Sequence, residues 1–403
     1  MIERGALAIG DGYRAKNSEL FGDGPLFLRS GRVSDGQIAF DGDERFDSSR
    51  LVALALKVGR PGDTVVTTKG NSTGVVAFVP HDAPAFVYSP HLSFWRARDP
   101  TVITPGFIRY WARSSEFKNQ LRGFAGSTDM APYLSLTDQR RLRITLPPPV
   151  EQRRIAAVLG ALDDKIEQNR RLAASLDAIS EALFVELLAA SGAAWSVVRL
   201  SDVADVNRAS HSARSHPEEI DYVDIASVSP REILEVRHLR YDDAPSRARR
   251  IVRSGDTLVS TVRPERRAMV FIPNALGSLT ASTGFAVVTP RDIAPSFLYR
   301  MVTSDSCIDR LAAVASGSAY PAVNPNVLAD WRFQLPPDRG TAYEDVAGPI
   351  ERLRWHLLDQ NTRLAATRDT LLHKLASGQL RVPESYDPDD VLRTLPEESA
   401  AGV

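Results

Sequence analysis

The segment Gly62-Asp63-Thr64-Val65-Val66-Thr67-Thr68 returns as Gly255-Asp256-Thr257-Leu258-Val259-Ser260-Thr261, and it does not return alone. Phe78-Val79-Pro80 is matched by Phe271-Ile272-Pro273, and Phe107-Ile108-Arg109-Tyr110 by Phe297-Leu298-Tyr299-Arg300. Gly126-Ser127 is matched by Gly317-Ser318, Leu146-Pro147-Pro148 by Leu335-Pro336-Pro337, and Gln168-Asn169 by Gln360-Asn361. The order never breaks. The offset is roughly 190 residues, far beyond the roughly 20–50 of a solenoid repeat. Chance dipeptides would not stay collinear, so the chain is a duplicated unit, and each copy is a globular part followed by a helix.

The globular parts read as mixed α and β. Residues 64–68, 75–79, 257–262 and 285–289 are rich in Val, Thr and Phe and bounded by Gly, Pro or Asp, as strands are. Residues 107–120 and 297–315 have helical spacing behind Pro105 and Pro295, which suit a first turn. After Pro147-Pro148-Pro149 no strong breaker appears before Gly192, apart from Gly160. Ile155, Leu159, Leu162, Ile166, Ala173, Leu176, Leu183 and Leu187 then recur by threes and fours, the rhythm of one helix face. Val346, Ile350, Leu353, Leu357, Leu364 and Leu371 repeat it in the second copy, with Pro349 expected in the first turn or at the true start. Each stripe is interrupted by a pair of amides, which either sit at the helix seam and fix register or face solvent. Two such helices most simply pack as an antiparallel coiled coil. At about 1.5 Å per residue, some 35–40 residues make a rod of roughly 50–60 Å, against about 34 Å for one turn of DNA.

Composition bounds the setting. At 403 residues the chain exceeds one ordinary core, and 43% hydrophobic with 25% charged residues is globular usage. No apolar run spans a membrane, and Met1-Ile2-Glu3-Arg4 does not open a signal peptide, so no membrane association and a cytoplasmic location are expected. One cysteine, Cys307, excludes an internal disulfide and thiolate metal clusters; a small packed residue is its expected role. Net charge is −1, low for a free-standing nucleic-acid binder. The distribution is uneven, however: Arg247, Arg249, Arg250, Arg253, Arg263, Arg266 and Arg267 face only Asp256 and Glu265, whereas residues 381–403 read as an acidic flexible tail.

Catalytic signatures are missing. Lys69-Gly70-Asn71-Ser72-Thr73-Gly74 has the wrong order for a phosphate loop, and there is no Asp/Asn-Pro-Pro-Tyr/Phe pocket of an amino-methyltransferase. No acidic pair followed by Glu-x-Lys offers a nuclease metal site. His211 and His216 lie five apart without further His or Cys ligands nearby, so no metal is expected.

Pro147-Pro148-Pro149-Val150-Glu151-Gln152-Arg153-Arg154-Ile155, leading into Leu162-Asp163-Asp164-Lys165-Ile166, resembles the central region of the specificity subunits of type I restriction–modification enzymes. Ser254-Gly255-Asp256-Thr257-Leu258-Val259-Ser260-Thr261-Val262-Arg263-Pro264 and Gly24-Pro25-Leu26-Phe27-Leu28-Arg29-Ser30-Gly31 look like segments of that family's target-recognition domains. The second copy departs from the helix signature, with Asp338-Arg339-Gly340-Thr341-Ala342-Tyr343-Glu344 in place of Glu-Gln-x-x-Ile, which puts identical docking by both helices in doubt. The resemblance implies an α+β fold of two mixed α/β target-recognition domains, residues 1–146 and 192–336. Two helices, residues 147–191 and 337–380, would separate them as an antiparallel coiled coil. It further implies a non-catalytic subunit that binds double-stranded DNA, two methyltransferase (M) subunits and restriction/translocase (R) subunits. S-adenosylmethionine, ATP and Mg would belong to those partners, with no cofactor on this chain. Glu151, Gln152, Ile155, Leu159, Leu162 and Ile166 are the implied partner-binding residues.

Arg suits guanine, Asn or Gln suits adenine, and Lys, Ser and Thr hold phosphates. The candidate DNA-binding residues are therefore Ser260, Thr261, Arg263, Arg266 and Arg267, with Tyr320 and Asn324 in a second loop. In the first copy they are Thr68, Lys69, Asn71, Ser72 and Thr73, with Arg14, Lys16 and Tyr133 further off. The competing reading is a coiled-coil scaffold whose two heads bind protein or small ligands.

Overall fold

A computed structural model describes residues 1–125, 133–190, 192–212, 214–275, 277–316, 321–383 and 385–386. Two compact units emerge: Met1–Asp164 with Ala365–Val403, and Lys165–Leu364. Compactness therefore cuts through both long helices, whereas the sequence boundaries at 146, 191, 336 and 380 follow the ends of elements.

The first unit holds a four-stranded antiparallel sheet in the order Leu7–Asp11, Leu92–Ala97, Thr64–Thr67, Val76–Phe78. The second holds Ala204–Val206, Phe285–Pro290, Asp256–Ser260, Met269–Ile272 in the same order and sense. The sequence duplication is thus a duplication of topology. The repeated Gly-Asp-Thr explains itself as a turn into a central strand. Gly62 and Gly255 sit at φ of 85° and 89°, where an L side chain is strained. Next to them, Asp63 accepts the Arg60 N–H at 3.0 Å and Asp256 the Arg253 N–H at 2.7 Å. The strands entered from these turns are buried throughout.

The helices are α1 (Pro105–Trp111), α2 (Ser115–Ala125), α3 (Leu136–Arg141), α4 (Pro149–Ala189), α5 (Leu200–Val203), α6 (Pro295–Val302), α7 (Asp305–Val314), α8 (Pro325–Ala329) and α9 (Thr341–Ala376). Two differ from the expected single helices 107–120 and 297–315, each of which is broken in the middle. Ser114 and Ser304 cause the breaks: the Ser114 hydroxyl accepts the Phe117 N–H at 3.4 Å, and the Ser304 hydroxyl donates to the Met301 carbonyl at 2.7 Å. Short hydroxyl side chains compete in this way with a helix's own ladder. In the first unit α1 packs Phe107, Ile108 and Trp111 on Val66, Val76 and Trp95, and Ile155 and Leu159 of α4 with Leu372 and Leu375 of α9 close the cluster. In the second, Phe297, Leu298 and Met301 of α6 pack on Val259 and Met269, closed by Phe184 of α4 and by Tyr343 and Ala347 of α9.

Within each unit the portions of α4 and α9 run antiparallel. In the first, Asp163 bonds Arg368 at 2.8 Å while Glu151 accepts the Val382 N–H at 3.4 Å. In the second, Asn169 bonds Asn361 at 2.9 Å and Ser180 donates to Glu351 at 2.7 Å. The α4 stripe is buried as its rhythm predicts at Ile155, Leu159, Ile166 and Ala173. The α9 stripe is buried only at Leu357: Val346 is 55% and Leu353 46% exposed, while Tyr343, Ala347, Glu351, Arg354 and Asn361, outside the stripe, are buried. Charged residues occupy much of that seam because cations from the head face it, so an apolar count misplaces part of the face. Pro349 also sits inside α9 rather than at its start. The helix begins two turns earlier, where the Asp338 carboxylate accepts the Ala342 N–H at 2.8 Å and caps the first turn. The two amide pairs divide. Asn169 is buried and donates to Gln360 at 2.8 Å and to Asn361, whose own amide donates to the Ile166 carbonyl at 3.2 Å, whereas Gln168 is exposed.

Candidate nucleic-acid interface

In the first unit the Thr64–Thr67 strand runs into a loop carrying Lys69, Asn71, Ser72 and Thr73. Lys69 forms an antiparallel bridge with Tyr133, and the Leu134 N–H donates to the Thr68 carbonyl at 2.9 Å. In the second unit Asp256–Ser260 runs into the Arg263–Arg267 turn. Val262 bridges Ala322, the Val323 N–H donates to the Thr261 carbonyl at 2.8 Å, and the Arg263 N–H to the Pro321 carbonyl at 2.8 Å. Each head thus joins the same two loops at the same end of the same strand. Tyr133, distant in sequence from Lys69, belongs to this edge and is 55% exposed.

Within the edge, the side chains divide into those that hold the loops and those that face outward. Ser260 is fully buried, and its hydroxyl donates to the Val262 carbonyl at 2.7 Å; Thr261 donates to the Gly284 carbonyl at 2.8 Å. Thr68 is buried, and Thr73 donates to the Gly70 carbonyl at 2.7 Å. Ser260, Thr261 and Thr68 are therefore corrected from candidate ligand-contacting groups to buried residues at the strand ends, where the Ser260 and Thr261 hydroxyls hold their own loop. Asn324 is exposed, but its carbonyl oxygen caps α8, accepting the Asn326 N–H at 3.0 Å. Tyr320 lies outside the described residues. Arg14 and Lys16 follow the Leu7–Asp11 strand off the same end of the sheet as Lys69, and both are exposed, but no hydrogen bond described ties them to the loop pair.

The outward cations are Lys69 in the first unit and Arg263, Arg266 and Arg267 in the second. Arg263 and Arg267 flank Pro264-Glu265-Arg266 at φ of 50° and 56°, both left-handed. That region costs an L residue about 1–2 kcal/mol, and such strain gathers at binding sites. Arg267 is steadied by Asp305 at the start of α7, and Arg266 stands exposed at the tip. Nothing in the sequence announces this conformation, since Arg is no turn former.

Several other Arg residues of the basic stretch are structural. Arg247 pairs with the Tyr222 hydroxyl at 3.1 Å and with Asp224 at 3.2 Å, and Arg249 lies over the Tyr241 ring. Tyr241 also receives both histidines: His216 stacks on it at 4.0 Å and His211 meets it edge-on at 5.5 Å. Burial, first, and the neighbouring His216 push the His211 pKa down. Among the described residues no group of three His, Cys, Asp or Glu gathers as a metal site, and no helix is long and apolar enough to cross a membrane.

The signature stretch of α4 serves the chain itself. Gln152 is fully buried: its carbonyl accepts the Thr104 N–H at 2.8 Å, and its amide donates to the Val102 and Pro147 carbonyls, each at 2.9 Å. Ile155, Leu159 and Ile166 are buried as well, Leu162 is partly so, and Glu151 bonds the Val382 N–H. Gln152, Ile155, Leu159 and Ile166 are thereby corrected from partner-facing residues to the internal face of the helix. A motif read as a docking surface is what seats α4 on its own head. The second copy keeps this job with other chemistry: Glu344 accepts the Ser296 N–H at 2.8 Å and its hydroxyl at 2.6 Å, at the start of α6. Sequence reasoning missed one positioning residue, Gln139. It is buried, accepts Trp95 Nε1–H at 2.8 Å and donates to the Leu134 carbonyl at 3.2 Å, just behind Tyr133. The Ser135-x-x-Asp138 capping box that starts α3 was its available signal.

No family model matches the chain. Over 187 residues, 45% of this chain, it is 20% identical to the type I restriction enzyme HindI specificity subunit of Haemophilus influenzae. That match spans only 39% of the relative's length. In three dimensions the chain is similar to the crystal structure of a type I restriction–modification system S subunit from M. genitalium. The TM-score is 0.55 at 14% identity, over 92% of this chain and 93% of that one. The second likeness is one of fold, α+β heads with two long helices, and it agrees with the architecture expected from the sequence.

Proposed function

We propose that the chain is the DNA-reading subunit of a type I restriction–modification complex. Each head reads one half of a bipartite, asymmetric target, and the two long helices set the unread spacing and dock two methyltransferase subunits. The observation that carries this reading is the two-loop edge built twice, at Thr68–Lys69 with Tyr133–Leu134 and at Thr261–Arg263 with Pro321–Val323. Two equivalent but chemically different edges suit two different half-sites. The second offers guanidinium groups, the first Lys69, Asn71 and Tyr133, and base edges distinguish such groups. The chain itself performs no bond chemistry on this reading. S-adenosylmethionine, ATP and Mg belong to the methyltransferase and restriction/translocase partners, and the complex works in the cytoplasm on double-stranded DNA. A net charge of −1 then requires partners that help clamp the phosphates.

The test is methylome sequencing of DNA from a host expressing this chain with its neighbouring methyltransferase, beside a host expressing the methyltransferase alone. A split N6-methyladenine motif present only with this chain is the expected result. Absence of a new motif, given a soluble complex and an intact methyltransferase, overturns the reading in favour of a scaffold whose heads bind protein or small ligands.

A further inference from the structure

The second unit buries a charged network where an apolar seam would be simpler. Arg300, at the end of α6, is 2% exposed and Glu351 of α9 only 1%. Arg300 Nη2 lies 2.6 Å from Glu351 and 2.9 Å from Asp177 of α4, and its Nη1 lies 3.2 Å from Glu181 of α4. Arg231, in the turn before the Glu232–Ile233 strand, reaches the same two α4 carboxylates: it pairs with Asp177, and its Nη2 lies 2.5 Å from Glu181. Arg354 of α9 donates to the Arg231 carbonyl at 2.5 Å and lies 3.7 Å from Asp177. Ser180 and Tyr343 complete it: the Ser180 hydroxyl donates to Glu351 at 2.7 Å, and the Tyr343 hydroxyl donates to the Ser180 carbonyl at 2.9 Å. Three guanidinium groups meet three carboxylates, drawn from two separate parts of the head and from both long helices.

Such a network is a poor way to gain stability. Desolvating buried ions costs roughly what their pairing returns, and apolar side chains of equal volume often do as well. This one is not even saturated, since Arg300 Nε and Glu351 Oε2 are buried without a hydrogen-bond partner in the structure. What charged hydrogen bonds give and apolar contacts do not is direction. Side chains in an apolar seam tolerate sliding and small rotations, whereas a forked guanidinium held by three carboxylates does not. Moving a reading head by one base pair takes about 3.4 Å along the duplex and roughly 35° around it. A shift of that size exceeds the Arg300 hydrogen bonds of the network, the longest of which are 3.2 Å.

We infer that Arg300, Glu351, Asp177, Glu181, Arg231 and Arg354 are positioning residues for target spacing. They fix the second head on the helix pair so that the complex accepts one spacer length between its half-sites. The first unit carries a simpler version, in which Asp163 of α4 holds Arg109 at 2.6 Å and Tyr110 at 2.8 Å from the head and Arg368 at 2.8 Å from α9. This inference rests on the proposed DNA-reading role. Its mark is specificity separable from stability.

The experiment uses the assembled complex of this chain with its methyltransferase. Duplexes carry both half-sites at the natural spacer and at one base pair shorter or longer, and the initial rate of methyl transfer is read on each. Wild type is expected to prefer the natural spacer. The charge-balanced double variant Arg300→Met, Glu351→Leu should keep its rate on that spacer while its preference over the altered spacers falls about tenfold, the scale of coupling within a charged network. A preference unchanged in a folded, active double variant overturns the inference. Should the double variant fail to assemble, Arg300→Lys, which keeps the charge but not the fork, is read in the same way. An intermediate loss of preference supports the inference, and an unchanged preference overturns it. If wild type methylates none of the duplexes, the DNA-reading role itself fails and takes this inference with it.

Discussion

Replacing Gln152 by Ala tests how the first head is joined to α4. The side chain is fully buried and satisfies three backbone groups: the Thr104 N–H at 2.8 Å, and the Val102 and Pro147 carbonyls at 2.9 Å each. A hydrogen bond contributes about 1 kcal/mol net, and a buried group left without a partner costs roughly 1–3 kcal/mol. The N–H is a single donor and loses its partner outright, so it bears the larger cost, whereas each carbonyl keeps a second lone pair and loses about 1 kcal/mol. The sum is about 3–5 kcal/mol, which for a unit of this size lowers the melting temperature by roughly 10 °C. The assay is thermal or urea unfolding followed by tryptophan fluorescence, since Trp95 and Trp111 lie in the core that α4 closes. Gln152→Glu is the informative companion. It still accepts the Thr104 N–H, but it sets a carboxylate against two carbonyl oxygens and should be no better than Ala. A loss under about 1 kcal/mol for Gln152→Ala would show that apolar burial of Ile155 and Leu159, not these bonds, holds the joint.

Three further outcomes are expected. Arg266→Ala should weaken binding of the complex to its target by about 1–3 kcal/mol and relax one position of the motif if the group reads a base, or lower the salt slope by about one if it holds a phosphate; an effect on neither removes Arg266 from the interface. Burial raises the Asp163 pKa, but Arg109, Arg368 and Tyr110 outweigh it and hold the carboxyl below its ordinary value of 3.8. Its stabilisation is therefore complete above that value and lost as pH falls through the lower folded one. In urea titrations, the gap between wild type and Asp163→Asn should be constant near neutrality and close in strong acid; a gap that persists there contradicts the pairing. Cys307 is fully buried, and burial pushes its thiol up to about 12. A thiol reagent should therefore label it only under denaturing conditions, and rapid labelling of the native protein would place it at the surface.

The architecture was legible because duplication is a long-range signal that local ambiguity cannot erase: Gly62-Asp63-Thr64 and Gly255-Asp256-Thr257 mark the same turn in both copies. The face of α4 was legible because Ile155, Leu159, Ile166 and Ala173 mark it, even with Gln152, Asn169 and Ser180 buried between and beyond them. The face of α9 was legible only at Leu357, because Glu351 and Arg354 are buried by their partners rather than by their own hydropathy. Pro349 misled for a related reason, since the cap at Asp338 starts the helix despite a proline further along it. At the interface, residue type located the right strand ends but not the right atoms. The sequence contains Ser260 and Thr261 but not the direction of their hydroxyls, and it contains Gln152 but not the Thr104 N–H that waits for it.

Arg263 and Arg267 have a consequence for how this protein can change. Glycine at either position would relieve a left-handed L residue and stabilise the folded chain by about 1 kcal/mol. Engineering for heat resistance alone would arrive there quickly and would erase two of the three guanidinium groups on that turn. The turn is thus a place where thermostability and discrimination pull in opposite directions, as they commonly do at sites that carry function. A library sorted for melting temperature should lose its arginines at 263 and 267 early, and one sorted for sequence discrimination should keep them.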